Sequence, residues 1–224
     1  MSRHVHIVSH GPHCLDGVTA AVAVARYYRG LAVIDARFAG NSEIDAVLQA
    51  LVPASPDAEL WITDISWREP ATDARLRALV AAGLQVYWID HHRTALERFA
   101  AGQVDVPFAD RVLSEDYAAS RLTYEYLAAR LHAGGRAAPE FTALAPLVDM
   151  ADDNDRWLHR VPGSRELAWT VRTLGDDAYG ELLEVDERVT YTPRMSAARA
   201  RVETEIRHSF AVANATRIER PLGP

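Results

Sequence analysis

The tripeptide Asp90-His91-His92 follows the apolar run Val86-Tyr87-Trp88-Ile89. Two other apolar runs end in similar residues. Val5-His6-Ile7-Val8-Ser9 leads into His10, and Leu60-Trp61-Ile62-Thr63 leads into Asp64. Carboxylates and imidazoles delivered by several strand ends are the raw material of a metal site. Cys14 with Asp16, and the acidic cluster Asp149, Asp152, Asp153 and Asp155, extend the set. Hard carboxylates mixed with imidazoles suit Mn²⁺ or Mg²⁺ better than an all-thiolate zinc site would. One carboxylate shared by two such ions makes a two-metal centre. It can bind a phosphoryl group, lower the pKa of a bridging water and stabilise attacking and leaving oxygens together. Hydrolysis of a phosphoester or phosphoanhydride is the reaction this set favours. An unrelated zinc hydrolase is the weaker reading, because the sequence has no His-Glu-x-x-His and no closed Cys/His spacing.

Positioning these groups falls to alternating elements. Residues 5–9 read as a short buried strand, 10–17 as a loop built on Gly and Pro, and 18–28 as an Ala-rich helix ending at Gly30. Strand, loop and helix make half of a βαβ unit. Residues 31–38 read as a second strand and 42–51 as a helix with Ser42 as its N-cap. Residues 60–63 form a third strand. Residues 71–82 form a helix, with Leu76, Leu79 and Val80 at helical spacing and Gly83 closing it. Residues 84–89 are the fourth strand. This alternation predicts an α/β fold with a parallel sheet of about five strands, helices on both faces. In such open sheets the site lies at the C-terminal ends of the strands. Beyond residue 115 the pattern turns mainly helical, over residues 117–131, 140–150, 166–174, 177–184 and 195–208. Residues 209–213 read as a new strand.

Composition narrows the function. The chain has 224 residues, 49% of them hydrophobic and 25% charged, as expected of a globular protein. No apolar run approaches the ~20 residues that span a bilayer. The N-terminus shows no signal-peptide pattern, and the single Cys14 excludes an internal disulfide framework, so a cytoplasmic location is expected. The net charge of −7 argues against coating duplex DNA, which needs a basic face. It leaves room for a small phosphorylated substrate, because bound divalent cations invert the local field. All 24 basic residues are Arg, which removes any Schiff-base or P-loop lysine.

With Asp90-His91-His92 as its signature, the chain resembles the DHH phosphoesterase superfamily. The family's first motif, His-x-x-x-Asp-x-Asp, is matched by His10-Gly11-Pro12-His13-Cys14-Leu15-Asp16. Its second, an Asp after an apolar strand, is matched by Asp64. Its fourth falls in Asp152-Asp153-Asn154-Asp155-Arg156-Trp157. The His…Cys-x-Asp-Gly form looks like a branch of predicted phosphohydrolases. The resemblance covers about residues 5–160 and implies a DHH-type fold with two Mn²⁺ (or Mg²⁺) ions. It implies that His10 and Asp64 bind one metal. Asp16, Asp64, His91 and one Asp of the fourth motif would bind the other, with Asp64 bridging. Asp153 is the fourth-motif position that fits the pattern best, with Asp155 as runner-up. Asp90 would orient an imidazole. His92 would meet the substrate phosphate or act as general acid, and Arg93 is a candidate phosphate contact. The implied nucleophile is a metal-bound hydroxide.

Cys14 stands where the family usually has Asp. A thiolate would weaken the first metal site, select a softer ion, or bring in His13. The family's C-terminal substrate lobe has no counterpart here. Residues 1–193 are therefore expected to be the catalytic domain. Residues 194–224 would be a connector helix and the start of a truncated or vestigial lobe. The expected function is metal-dependent hydrolysis of a phosphoester bond in a small phosphorylated or short-oligonucleotide substrate. A degenerate metal- or nucleotide-binding module of the same fold is the alternative. Oligomeric state is not legible.

Overall fold

The computed structural model of the chain describes residues 3–217. Five strands form one sheet: β1 (Arg3–His10), β2 (Ala32–Ala39), β3 (Glu59–Thr63), β4 (Gln85–Asp90) and β5 (Asp110–Leu113). All pairings are parallel, in the order β2-β1-β3-β4-β5. Connections leave β1 in one direction to β2 and return past it to β3. The β1/β3 boundary is therefore the point where strand order reverses, the place at the strands' carboxyl ends where open α/β sheets bind their ligands.

The connecting helices are α1 (Leu15–Tyr27), α2 (Ile44–Gln49), α3 (Pro70–Ala81) and α4 (Arg93–Ala100). The helical half follows as α5 (Ala119–Ala133), α6 (Pro139–Thr142), α7 (Ala145–Asp155), α8 (Ser164–Leu174), α9 (Ala178–Leu183) and α10 (Pro193–Thr216).

Strand side chains alternate between two cores, as the period of two requires. Val5, Ile7, Trp61, Tyr87 and Ile89 join α1 and the helical half. Val8, Leu60, Ile62, Val86 and Trp88 join the other face, with Ile44 and Leu48 of α2 and Leu76 and Leu79 of α3. Helix α1 is buried from Leu15 to Arg26. Its many alanines let β1, α5, α7 and α9 pack around it. Arg26 is buried with it, and its guanidinium donates to the carbonyls of Glu140, Leu183 and Val185.

The predicted helix at 140–150 is split in two, and its second part runs on through Asp155. Ser42 does not cap α2; Glu43 occupies that position and accepts from Gly40 N. Residues 209–213, expected as a strand, lie inside α10. The backbone follows the helix because no Gly or Pro interrupts it there. Residues 218–224, placed in a truncated lobe by the sequence, lie outside the described residues. Among the described residues, no helix is long and apolar enough to cross a membrane.

Candidate metal centre

Three carboxyl ends supply the centre. His10 ends β1, Asp64 follows β3, and Asp90 ends β4 just before His91 and His92. The ends are kept level by hydrogen bonds beneath them. The Ser9 hydroxyl is shared between the carbonyls of Gly17 (2.7 Å) and Thr63 (3.1 Å), and Thr63 Oγ1 donates to Ser9 Oγ (2.8 Å). Asp64 stops its strand by adopting φ = 60°. This left-handed conformation costs a non-glycine residue about 1–3 kcal/mol and tends to persist where surroundings demand it. Its N–H still bonds Ile89 O across the sheet, at 3.0 Å.

Helix α1 brings in Cys14, its N-cap residue, and Asp16 in its first turn. Gly17 makes that approach possible. A Cβ there would lie 2.1 Å from His10 O and 2.9 Å from Asp64 Oδ2. Asp16 is fully buried, and its two oxygens accept from Ala119 N and Ser120 N (2.9 Å each). These amides open α5, so the carboxylate sits at the positive end of that helix.

Asp64 faces two groups with its two oxygens. Oδ2 lies 3.5 Å from His10 Nδ1 and 3.5 Å from Cys14 Sγ. Oδ1 lies 3.3 Å from His91 Nε2. His91 Nε2 is also 3.5 Å from Asp155 Oδ2 and 3.8 Å from Asp16 Oδ2. It is buried, yet its geometry makes no hydrogen bond to any of the three carboxylates. Ligand atoms of His10, Cys14 and Asp64 lie within 4.8 Å of one another, as do those of Asp16, His91 and Asp155, and those of Asp64, His91 and His92. A buried nitrogen aimed at three carboxylates without bonding any of them fits a divalent cation between them.

Electrostatics agree with that fit. Burial, then the neighbouring Asp64 and Asp155, push Asp16 well above the ordinary carboxylate range. Burial and Asp64 raise Asp155 as well. Burial alone would raise Asp64, but the facing imidazoles of His10, His91 and His92 outweigh it and hold Asp64 low. Burial opposes a charge on His91, yet Asp64, Asp16 and Asp155 lift its imidazole to about 9. Without a cation the site keeps protons to offset its own charge. Burial, then Asp64 and Asp16, push the Cys14 thiol well up.

Asp90 is fully buried. Its Oδ1 accepts from His92 N (3.1 Å) and contacts His92 Nδ1 at 2.7 Å, which raises the His92 pKa. With Nδ1 against Asp90, the half-exposed His92 ring leaves Nε2 for another partner.

The fourth motif is a correction. Asp153, the residue favoured from the sequence, is turned away. It accepts from Arg160 N and Ser164 Oγ (2.6 Å each) and fastens the start of α8. Asp155 reaches the cluster instead. Asp152 accepts from Ala118 N at 2.8 Å, and Asp149 pairs with Arg121. Val148, Asp152 and Asp155 recur at helical spacing, so a helix carried to residue 155 would have placed Asp155 inward. Arg93 is exposed and its Nε donates to Glu97 at 2.8 Å, so the structure does not bring it to the cluster. His13 Nδ1 contacts Arg172 O at 2.9 Å and does not join Cys14.

Two grooves flank the centre. One of about 760 Å³ touches His10, Cys14, Glu43 and Arg172. The other, about 650 Å³, touches His92, Asn41, Ser66, Arg68 and Arg98. Sequence reading finds neither, because each is assembled from separate loops.

No protein-family model and no curated protein matches the chain. Solved structures do match. RecJ from Thermus thermophilus, in complex with Mn²⁺, aligns over 96% of this chain with a TM-score of 0.51 and 16% identity. The fold is RecJ-like. An uncharacterized protein from Helicobacter pylori G27 aligns over 90% of this chain, with a TM-score of 0.62 and 16% identity. The chain spans 62% of the Helicobacter protein's length and 36% of RecJ's. At this identity the likeness is one of fold, a parallel sheet flanked by helices.

Proposed function

We propose that the chain is a divalent-metal-dependent phosphoesterase acting on a small phosphorylated or short-oligonucleotide substrate. The observation that carries this is Asp64, whose two oxygens face His10 with Cys14 on one side and His91 on the other. Asp64 would bridge two ions. His10 and Cys14 would complete one position; Asp16, His91 and Asp155 would complete the other. Mn²⁺, present in the RecJ complex, suits this donor set, and so does Mg²⁺. Such ions, when bound, supply Lewis-acid activation of water and neutralise charge on a phosphoryl group.

The chain's own residues do the rest. Asp16 is held by the α5 amides and so stays fixed as a ligand. Asp90 holds His92 in one tautomer and favours its charged form, so His92 Nε2 carries a proton toward the substrate. His92 would give that proton to the leaving oxygen. Arg93, tied to Glu97, takes no part in this reading.

A non-catalytic metal- or nucleotide-binding module is the second reading. Cys14 favours it, because a thiol whose pKa is pushed up is a poor ligand for a hard ion. Turnover of bis-p-nitrophenyl phosphate with added Mn²⁺ separates the two. The enzyme reading expects Mn²⁺-dependent release of p-nitrophenol, lost in Asp64→Ala. The absence of turnover in Mn²⁺-loaded wild type would leave the module.

A further inference from the structure

Resting on the phosphoesterase reading, we propose that the groove beside His92 is a subsite for a second phosphate of the substrate, next to the scissile one. The groove is about 650 Å³ and is built from three strand-end loops and α4. Asn41 enters after β2, Ser66 and Arg68 after β3, and Thr94 and Arg98 from α4.

Its lining carries two arginines and one carboxylate. The protein carries a net charge of −7, and several of its arginines pair with carboxylates, among them Arg3 with Glu59, Arg37 with Asp35, Arg77 with Asp105 and Arg121 with Asp149; the two in this groove do not. Among the described residues the Arg68 guanidinium has no carboxylate partner; only its backbone N–H is engaged, by Asp45. Arg98 has no carboxylate partner either. Its guanidinium donates to the carbonyl of buried Trp67, which fixes the fork at the groove wall. The one acidic group lining the groove, Glu97, is already paired with Arg93.

Two arginines free of carboxylates, one of them anchored, with neutral hydrogen-bonding side chains between them, match a phosphate's several acceptor oxygens. Preorganisation of Arg98 lowers the ordering cost of binding. His92 belongs both to the groove lining and to the Asp64 cluster, with Nδ1 3.8 Å from Asp64 Oδ1. A phosphate held here would therefore neighbour a group at the metal centre. The substrate class becomes one with a second phosphate beside the bond that is cut, a short oligonucleotide with a further phosphate or a bisphosphorylated small molecule, in preference to a simple monoester.

Metal-free protein, stripped with EDTA, tests this apart from hydrolysis, since the empty acidic cluster repels anions. Inorganic phosphate is titrated by isothermal calorimetry into wild type, Arg68→Gln and Arg98→Gln. Thermal melts of each variant confirm its fold; Arg68 is exposed, so its substitution leaves packing intact. The proposal expects millimolar binding by wild type, about tenfold weaker (about 1.4 kcal/mol) in Arg68→Gln. No phosphate uptake by wild type, or a dissociation constant unchanged in both variants, overturns it. Metal-dependent turnover by a wild type that takes up no phosphate would sink the subsite and leave the enzyme.

Discussion

The two halves of the candidate metal centre share Asp64 and differ in almost everything else. The His91 half is enclosed and hard. Asp16 is buried against the α5 amides, Asp155 closes the end of α7, and His91 points its free nitrogen at all three carboxylates. The His10 half is open and soft. It joins a half-exposed imidazole to a thiol whose pKa is pushed up, on the rim of a groove. Enclosure with fixed carboxylates makes a site whose ligands need little further ordering. On the proposed reading, the difference teaches that the two metal positions would be unequal. One position would be built by the fold, and the other would depend on which ion tolerates Cys14.

Asp64→Asn removes the shared ligand and should have the largest effect. It is expected to lower Mn²⁺-dependent phosphodiester turnover about a thousandfold or more, roughly 4 kcal/mol of transition-state stabilisation. Steady-state kinetics on purified variant measures this, and full activity would break the comparison outright.

A pair of neighbours on α7 sharpens it next. Asp155→Asn should weaken Mn²⁺ binding in the enclosed half by about tenfold to a hundredfold. In metal-free protein it should raise the melting temperature by about 2–4 °C, because it removes a carboxylate raised by burial and by Asp64. Asp153→Ala should do the reverse. It leaves Ser164 Oγ and Arg160 N without their acceptor, at a cost of about 1–3 kcal/mol, and spares metal affinity. Calorimetry of both variants reads the two effects side by side.

Proton release gives a third test. His91, Asp16 and Asp155 are all raised in the metal-free site, so each holds its proton to higher pH than usual. A cation needs the neutral imidazole and ionised carboxylates. Apparent affinity of the enclosed half should therefore rise with pH until His91 loses its proton near 9. At neutral pH, titrations in buffers of different ionisation enthalpy should show about one proton released per ion. An affinity flat with pH would contradict the charge balance described for His91.

The smallest effect is expected at Cys14. Cys14→Asp should tighten Mn²⁺ in the open half about tenfold and leave the enclosed half unchanged, since a carboxylate suits this hard ion better than a thiol. Competition with Zn²⁺ should move the other way.

Much of this is legible in the residues. The ends of β1, β3 and β4 are readable because runs rich in Val, Ile and aromatics stop abruptly at His10, Asp64 and Asp90. The parallel sheet follows from strand–helix alternation. Asp155 is passed over when the helix is ended at Met150, which hides the inward spacing of Val148, Asp152 and Asp155. Residues 209–213 mislead because a short apolar run fits strand or helix alike, and continuity with α10 decides it. Arg68 and Arg98 carry no pattern at all. They meet only because segments well separated in sequence are folded onto one side of His92.

The most direct test of the central claim is Mn²⁺ stoichiometry, by calorimetric titration and elemental analysis of wild type and Asp64→Asn. The account predicts two ions of unequal affinity in wild type, the tighter in the His91 half, and weakening of both when the bridging carboxylate is removed. A single ion unaffected by Asp64→Asn, or none at all, would contradict it.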